Sequence, residues 1–339
     1  MRRVLIPQNL QELPQQLPAG EQKTLSGQTM GTTWTVRYVH TLELSLELSD
    51  DGVRALIEHE LDLVVAQMST WQNDSDLSFF NQANANTWHV LPAPLFTVLD
   101  CALKIAAETH GAFDPTIGPL VNLWGFGPNG GRTYPPDLAE VKVLHVDCGW
   151  QKLQLDHESK SALQPGNLYV DLSGIAKGYS VDRIARAMKD AGIENFLVEV
   201  GGELYGTGLK PDAQPWWVAL ETSPVAQNLA ESVVALHGLA VATSGDYRRY
   251  FEHDGSHYAH TINPRTGFPI DRAINSLVSV TVIHAECMVA DALATAFIVM
   301  GVDSALAFAT GKNIAVLLIE QKADGIEEHL SPKLMAMLE

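Results

Sequence analysis

The spacing of apolar residues changes several times along the chain and predicts both helices and strands. Residues 28–39 alternate between apolar and polar side chains and are rich in Thr, Trp, Val and Tyr, which predicts a strand. Residues 53–68 repeat apolar side chains every three or four positions, which predicts a helix. Beyond residue 195 short alternating runs dominate. Antiparallel strands mixed with helices indicate an α+β fold, not a parallel βαβ series.

The same patterns place the other elements. Gly201-Gly202 lies between two apolar runs and predicts a hairpin turn. Residues 111–128 are too rich in Gly and Pro for regular structure and predict a long loop, which is often functional. Further helices are predicted at 95–109, 175–191 and 288–300, and further strands at 168–170, 195–200, 203–207, 216–221, 240–244, 247–252, 257–262, 276–283 and 314–319.

Length and charge limit the function classes. The 339 residues suffice for one catalytic domain, predicted at 25–339 after a flexible leader at 1–24. The net charge of −18 argues against a nucleic-acid partner, because binding to the phosphate backbone requires clustered Lys and Arg. An acidic enzyme that holds a nucleotide needs a local device instead: a divalent cation, a helix N-terminus or one placed lysine.

The cysteines form no recognisable metal or disulfide pattern, and the N-terminus carries no recognisable targeting signal. Cys101, Cys148 and Cys287 lack the spacing of a zinc site or of a disulfide framework. The first residues resemble the start of a signal peptide but lack its apolar core and a lipid-attachment cysteine, and no window is long enough for a membrane span. A cytoplasmic enzyme is therefore expected, or a periplasmic, inner-membrane-associated one if an export segment has been removed.

The segment Asp171-Leu172-Ser173-Gly174-Ile175-Ala176-Lys177-Gly178 is the first candidate site. It follows the apolar run 168–170 and opens a predicted helix, so it brings a carboxylate, a hydroxyl, backbone groups and one lysine to a helix start. These groups suit a phosphorylated ligand or a metal. An ordinary capped helix with a surface lysine explains the segment equally well.

The predicted helix 288–300 supplies a second candidate. Asp291 and Thr295 are four residues apart and share one face of an almost wholly apolar helix. A buried carboxylate costs several kcal/mol unless it is paired or bound to a metal. Hard oxygen ligands suit Mg²⁺, which favours this interpretation over an Asp satisfied by a buried Arg or by backbone donors.

His260 is a candidate general base near such a metal–phosphate site, with His257 as a competitor on the other face of the same predicted strand. Aromatic and thioether side chains near the candidate loops offer stacking surfaces for a ring system, although ordinary core packing also explains several of them. They are Met30, Trp34, Trp71, Phe113, Trp124 and Phe126.

Taken in order, eight motifs resemble those of the ApbE-type FAD:protein FMN transferases. They are Met30-Gly31-Thr32, Met68-Ser69-Thr70-Trp71, Gly111-Ala112-Phe113-Asp114, the segment 171–178, Val200-Gly201-Gly202-Glu203, Thr243-Ser244-Gly245-Asp246-Tyr247, the segment 260–267 and the segment 291–295. The resemblance implies an α+β fold of mostly antiparallel sheets packed with helices, similar to T-fold proteins, with an active-site cleft between two lobes.

The resemblance also implies a reaction and its site. FAD is cleaved at its pyrophosphate, and FMN passes to a threonine hydroxyl of a target flavoprotein, such as a subunit of a redox complex, while AMP is released. The implied Mg²⁺ ligands are the Gly174 and Ala294 carbonyls, Asp291 and Thr295. His260 matches the catalytic histidine, as base or as transient phosphoryl carrier. The implied FAD contacts are Met30, Trp71, Ala112, Phe113, Asp114, Asp171, Lys177 and Ile262.

Two alternatives accompany this interpretation. Trp71 stands where relatives often carry Tyr, which keeps the stacking surface but changes the hydrogen-bonding tip; hydrolysis of FAD to FMN and AMP is therefore the nearest rival reaction. A non-catalytic flavin-binding protein is the other alternative. The presence of Lys177, His260, Asp291 and Thr295 argues against it.

Overall fold

The computed structural model describes residues 2–12, 18–41, 48–221, 226, 229–247 and 249–338. In these residues the helices are α1 (Asp50–Met68), α2 (Asp76–Asn81), α3 (Ala93–Glu108), α4 (Gly118–Leu123), α5 (Leu138–His145), α6 (Ala176–Asp190), α7 (Cys287–Met300), α8 (Val302–Gly311) and α9 (Pro332–Met335). The strands are β1 (Arg2–Leu5), β2 (Gly20–Thr29), β3 (Thr32–Thr41), β4 (Thr87–Val90), β5 (Gln154–Asp156), β6 (Ser161–Gln164), β7 (Phe196–Val200), β8 (Glu203–Thr207), β9 (Trp216–Ala219), β10 (Glu231–Leu236), β11 (Leu239–Gly245), β12 (Tyr250–His253), β13 (Ser256–Ala259), β14 (Ile262–Asn263), β15 (Phe268–Pro269), β16 (Leu277–His284), β17 (Ala315–Lys322) and β18 (Gly325–Leu330).

An eight-stranded antiparallel sheet forms the centre of the fold, in the order β18-β17-β16-β11-β8-β7-β3-β2. Helices α1, α6 and α7 cover one face, and the small sheet β1-β10-β9 covers the other. Side chains of successive strand residues point to opposite faces, so Val198 packs under the helices while Leu197 packs under the small sheet. The predicted α+β class with mostly antiparallel sheets is confirmed.

Helix α7 lies at the centre of this arrangement. It packs on β11 and β16 of the sheet and on α6, with α3 and α8 also in contact. A helix that is covered on all sides needs apolar residues all round, which explains its almost unbroken apolar sequence. The carboxylate of Asp291 is therefore held inside the protein, only 3% exposed.

The predicted helices 53–68, 95–109, 175–191 and 288–300 correspond to α1, α3, α6 and α7, with ends shifted by up to three residues. The predicted hairpin around Gly201-Gly202 is present as β7 and β8. The predicted single strand 28–39 is wrong. Met30 and Gly31 have positive φ and form a two-residue turn between β2 and β3, as tight hairpins require.

The predicted flexible leader at 1–24 contains ordered elements instead. Strand β1 pairs in parallel with β10, and Leu5 is fully buried in the core below the sheet. Strand β2 begins at Gly20, so the predicted boundary at residue 24 falls inside a strand. The sequence missed β1 because four residues are too short for a periodic signal. Residues 1 and 13–17 of this leader lie outside the described residues.

Candidate functional site

The turn that precedes α6 is built by Asp171. Its Oδ1 accepts hydrogen bonds from the Ser173 backbone N–H, at 2.8 Å, and from the Ser173 hydroxyl. Its own N–H donates to the Pro115 carbonyl at 2.8 Å, which ties this turn to the loop that follows α3. The predicted strand at 168–170 is wrong: these residues belong to no strand, and the Asn81 side chain instead hydrogen-bonds both the N–H and the carbonyl of Val170.

Asp291 of α7 caps the first turn of α6. The first N–H groups of a helix have no partner within the helix. One of them, on Gly178, donates to Asp291 Oδ2 at 2.9 Å. A Cβ on residue 178 would lie 2.4 Å from the Cys287 carbonyl oxygen and 2.8 Å from Asp291 Cβ, so only glycine permits the two helices to approach this closely.

The capping is reciprocal. Asp182 of α6 accepts hydrogen bonds from the backbone N–H groups of Cys287 and Met288, the first two residues of α7, each at 2.8 Å. Burial raises the pKa of Asp182 to about 6, although these two N–H groups oppose that rise. Two helices that cap each other in this way have little freedom to slide, so the position of Asp291 is fixed relative to Lys177.

Lys177 lies between two carboxylates. Its ammonium contacts Glu203 Oε1 and is 3.7 Å from Asp291 Oδ1. Glu203 is only 1% exposed and begins β8 directly after the Gly201-Gly202 turn. This small cluster therefore holds two acidic groups and one ammonium among the described residues.

Thr295 and Gly174 face each other beside this cluster. A Cβ on residue 174 would lie 3.2 Å from Thr295 Oγ1 and 3.2 Å from Phe113 Cε2, so the glycine leaves a small space between them. Thr295 Oγ1 also lies 3.3 Å from the Ser244 hydroxyl at the end of β11. Ala294, the residue before Thr295, is fully buried. Three of the four predicted metal ligands, Gly174, Asp291 and Thr295, thus belong to one neighbourhood.

The predicted FAD-binding segment 112–114 is buried next to Gly174. Asp114 is 8% exposed, and burial raises its pKa. Its carboxylate accepts from the Thr116 N–H and hydroxyl, at 2.8 and 2.7 Å, and from the Trp150 N–H at 3.0 Å. The Asp114 side chain therefore holds its own loop together, and Phe113 is the side chain of this segment that reaches Gly174.

His260 directly follows β13, the second strand of the hairpin that β12 and β13 form. Its Nδ1 is 3.2 Å from the Arg249 carbonyl oxygen, and its ring meets Phe126 edge to face at 6.3 Å between centroids. Ile262, two residues further along, is buried in β14. Phe126, Phe251, Tyr258 and Trp124 form a stack of aromatic rings beneath this hairpin. The competitor His257 instead bonds the Asp246 carbonyl at 3.2 Å.

Trp71 and Met30 lie at exposed or partly exposed turns. Trp71 is 63% exposed, although its backbone N–H donates to the Ser69 hydroxyl at 3.1 Å. Met30 packs partly against the core from the β2–β3 turn. No hydrogen bond or ion pair among the described residues joins Trp71 to Lys177 or Asp291.

Sequence reasoning gave no role to Glu203, Ser244 or Asp182. Glu203 and Ser244 stand inside recognised motifs, and an acidic residue at an inward position directly after a Gly-Gly turn was the available signal for Glu203. Asp182 had no signal, because its partners are more than 100 residues away. In the part of the chain that the structure describes, no helix is long and apolar enough to cross a membrane.

This chain matches known proteins over a region that includes the whole candidate site. Residues 30–318 match the model of the ApbE family. A FAD:protein FMN transferase of Vibrio cholerae is 41% identical over 311 residues, which are 92% of this chain and 91% of that protein. A FAD:protein FMN transferase of Escherichia coli K12 is 36% identical over 330 residues, 96% of this chain and 92% of that protein.

Solved structures agree. The flavin transferase ApbE from Vibrio cholerae has a TM-score of 0.85 at 39% identity and matches over 95% of this chain and 100% of that one. The apo form of the flavinyl transferase ApbE from Pseudomonas stutzeri has a TM-score of 0.86 at 34% identity and matches over 95% and 98%.

Proposed function

The chain belongs to the ApbE family and is a flavin transferase, and from that premise we propose that it transfers FMN from FAD to a threonine hydroxyl of an acceptor flavoprotein with the help of Mg²⁺. The observation that carries the proposal is the buried cluster of Lys177, Glu203 and Asp291 at the start of α6. Two carboxylates and one ammonium leave this cluster one negative charge in excess. Such a cluster repels a pyrophosphate unless a cation joins it.

The residues beside the cluster fit Mg²⁺. The donors are hard oxygens, from the Asp291 carboxylate, the Thr295 hydroxyl and the Gly174 and Ala294 carbonyls, and the missing side chain of Gly174 leaves space at Thr295. When bound, Mg²⁺ supplies positive charge to the pyrophosphate oxygens and stabilises the charge that develops as the bond breaks. The protein itself supplies the contacts to FAD and the general base.

The proposed FAD contacts follow the same geometry. The start of α6 and the ammonium of Lys177 face the pyrophosphate, since a helix N-terminus and a lysine both favour phosphate. Asp171 and the backbone of Ala112, Phe113 and Asp114 form the wall around it. The flavin ring then stacks on exposed Trp71. Met30 and the backbone at Ile262 complete the pocket.

His260 is the proposed base. An Nδ1 that bonds a carbonyl oxygen carries the proton, so Nε2 is the basic nitrogen. Nε2 takes the proton from the hydroxyl of the acceptor threonine. At the same time the threonine oxygen forms a bond to the phosphorus of the FMN moiety. The bond from that phosphorus to the bridging oxygen breaks, and AMP leaves with that oxygen. The acceptor gains FMN as a phosphoester.

The test is to incubate the protein with FAD, Mg²⁺ and a lysate of its own cells. Proteins separated under denaturing conditions are then examined for flavin fluorescence, and AMP is quantified. We expect a fluorescent band that depends on Mg²⁺, and an FMN adduct on a threonine peptide by mass spectrometry. AMP release without any protein-bound flavin would instead identify the enzyme as a FAD hydrolase.

Asp291→Asn is the informative variant, because the amide keeps an acceptor for the Gly178 N–H but loses the charge. We expect transfer to fall by at least a hundredfold. Asp303→Asn is the matched control, an exposed Asp at the start of α8, and should retain wild-type activity. Wild-type, Mg²⁺-dependent activity in Asp291→Asn would show that the metal is held elsewhere.

A further inference from the structure

Glu203 is a buried carboxylate with an unusual set of partners. Its Oε1 accepts the ammonium of Lys177, whereas Oε2 is buried and has no hydrogen-bond partner among the described residues. An unsatisfied, buried charged oxygen is expensive, by about 1–3 kcal/mol or more. A structure that tolerates such an oxygen beside Lys177 and Asp291 indicates a functional role for the group.

The backbone also commits Glu203 to this position. Gly201 and Gly202 both have positive φ, so the turn between β7 and β8 is tight and delivers residue 203 inward at the first position of β8. A Cβ at Gly201 would lie 3.3 Å from Lys177 Cδ, which means that the lysine stem runs directly over the turn. The turn thus guides the stem, and Glu203 holds its end.

We propose that Glu203 is a positioning residue for FAD: it anchors the ammonium of Lys177 so that the ammonium faces the pyrophosphate and stays off the metal ligand Asp291. The inference rests on the proposed function for the identity of the ligand. Lys177 has only two carboxylate partners in the described structure, and Asp291 Oδ1 is already 3.7 Å from it. Without Glu203 the ammonium moves to Asp291, where it competes with Mg²⁺.

This role predicts a change in FAD affinity that is opposite in direction to the change expected from charge repulsion alone. Removal of a negative charge close to an anionic ligand should strengthen binding by reducing repulsion. Loss of a lysine anchor should weaken binding, because the ammonium must then be ordered at the moment FAD binds. Glu203→Gln keeps the shape of the side chain and removes only the charge, so the direction of the change separates the two roles.

The experiment is a titration of FAD, by quenching of flavin fluorescence, with and without Mg²⁺. We expect Glu203→Gln to weaken FAD binding about tenfold, the effect of losing one charge-assisted hydrogen bond. We also expect it to raise the Mg²⁺ concentration needed for half-maximal FAD binding. Unchanged or tighter FAD binding in Glu203→Gln would overturn the proposal.

A double-mutant cycle tests whether Glu203 acts through Lys177. Lys177→Met alone should weaken FAD binding, and Glu203→Gln added to it should have no further effect. Additive losses would mean that Glu203 acts independently and would also overturn the proposal. Glu199→Gln is the matched control: Glu199 bonds the Gly202 N–H in the same turn at 2.7 Å, and Gln keeps that acceptor. It should bind FAD as the wild type does.

Folding is monitored separately by the thermal unfolding midpoint without ligand, which should stay within about 3 °C of the wild-type value for Glu203→Gln. If that variant does not fold, Glu203→Asp replaces it, because it keeps the charge but withdraws it by one methylene. We expect weaker FAD binding there too, and wild-type affinity would refute the anchor. Failure of the proposed function would appear differently, as FAD binding by the wild type that does not respond to Mg²⁺.

Discussion

Gly178→Ala is the substitution for which the structure gives the clearest energetic prediction. The added Cβ would lie 2.4 Å from the Cys287 carbonyl oxygen and 2.7 Å from its carbon, and both atoms are backbone that a rotamer change cannot move. The two helices must separate by several tenths of an ångström. The hydrogen bond from Gly178 N–H to Asp291 Oδ2, now 2.9 Å, lengthens or breaks.

Three effects decide the magnitude. Alanine is the better helix former by about 1 kcal/mol, which favours the variant. Overpacking costs about 1–3 kcal/mol. Loss of a hydrogen bond to a buried carboxylate costs about 1.5–3 kcal/mol. The steric and hydrogen-bond effects together exceed the helix propensity, so we expect the free energy of unfolding to fall by about 2–5 kcal/mol.

Urea denaturation followed by circular dichroism measures this change, with Gly311→Ala as the control. Gly311 ends α8, and a Cβ added there would meet no atom within 4 Å, so its replacement should not lower the free energy of unfolding and should raise it by at most about 1 kcal/mol, the helix-propensity gain. The same displacement of Asp291 should weaken Mg²⁺-dependent FAD binding in Gly178→Ala. A variant as stable as the wild type would refute the close approach of α6 and α7.

Three further predictions follow from single contacts. Asn81→Ala removes both side-chain bonds to Val170, so the free energy of unfolding should fall by about 1–3 kcal/mol; an unchanged urea midpoint would contradict this. Trp71→Ala should leave stability within about 0.5 kcal/mol because the side chain is 63% exposed, yet weaken FAD binding at least tenfold in a fluorescence titration; unchanged affinity would remove Trp71 from the flavin site. The pKa of Asp182 is raised from 3.8 to about 6, so the folded state holds this proton more tightly than the unfolded state does. The protonated group therefore stabilises the fold by about 3 kcal/mol below about pH 4, and this contribution is lost as the pH rises from about 4 to about 6. Asp182→Asn should flatten that part of the pH profile of unfolding, and an identical profile would contradict the assignment.

Periodicity predicted the elements that are long and regular. Helices α1, α3, α6 and α7 were found because each carries several turns of apolar spacing. It failed where a structure depends on few residues or on distant partners. The β2–β3 turn was merged into one strand because Met30 gives no turn signal, and β1 was missed because its stability comes from β10, more than 200 residues away.

The residues of the candidate site were likewise partly recognisable from the sequence, whereas one of their contacts was not. Asp291 was recognisable because a carboxylate in an apolar helix demands an explanation, and that demand is a local property of the sequence. Lys177 was recognisable at a helix start. The contact of Lys177 with Glu203, however, depends on how the start of α6 lies against the β7–β8 turn, which no spacing in the sequence encodes. The resemblance to a family supplied the order of the motifs but not this contact.

Reciprocal capping fixes two buried carboxylates next to the proposed pyrophosphate site. Asp182 and Asp291 each accept backbone N–H groups from the start of the other's helix, so both carboxylates are fixed by the protein's own backbone before any ligand binds. Asp291 is thereby left with one oxygen for this cap and one that faces Lys177. Under the proposed function, such a site needs no cluster of lysines to receive a pyrophosphate. An ammonium held by Glu203, a helix start and one divalent cation would suffice, provided that the two helices keep the separation that Gly178 permits.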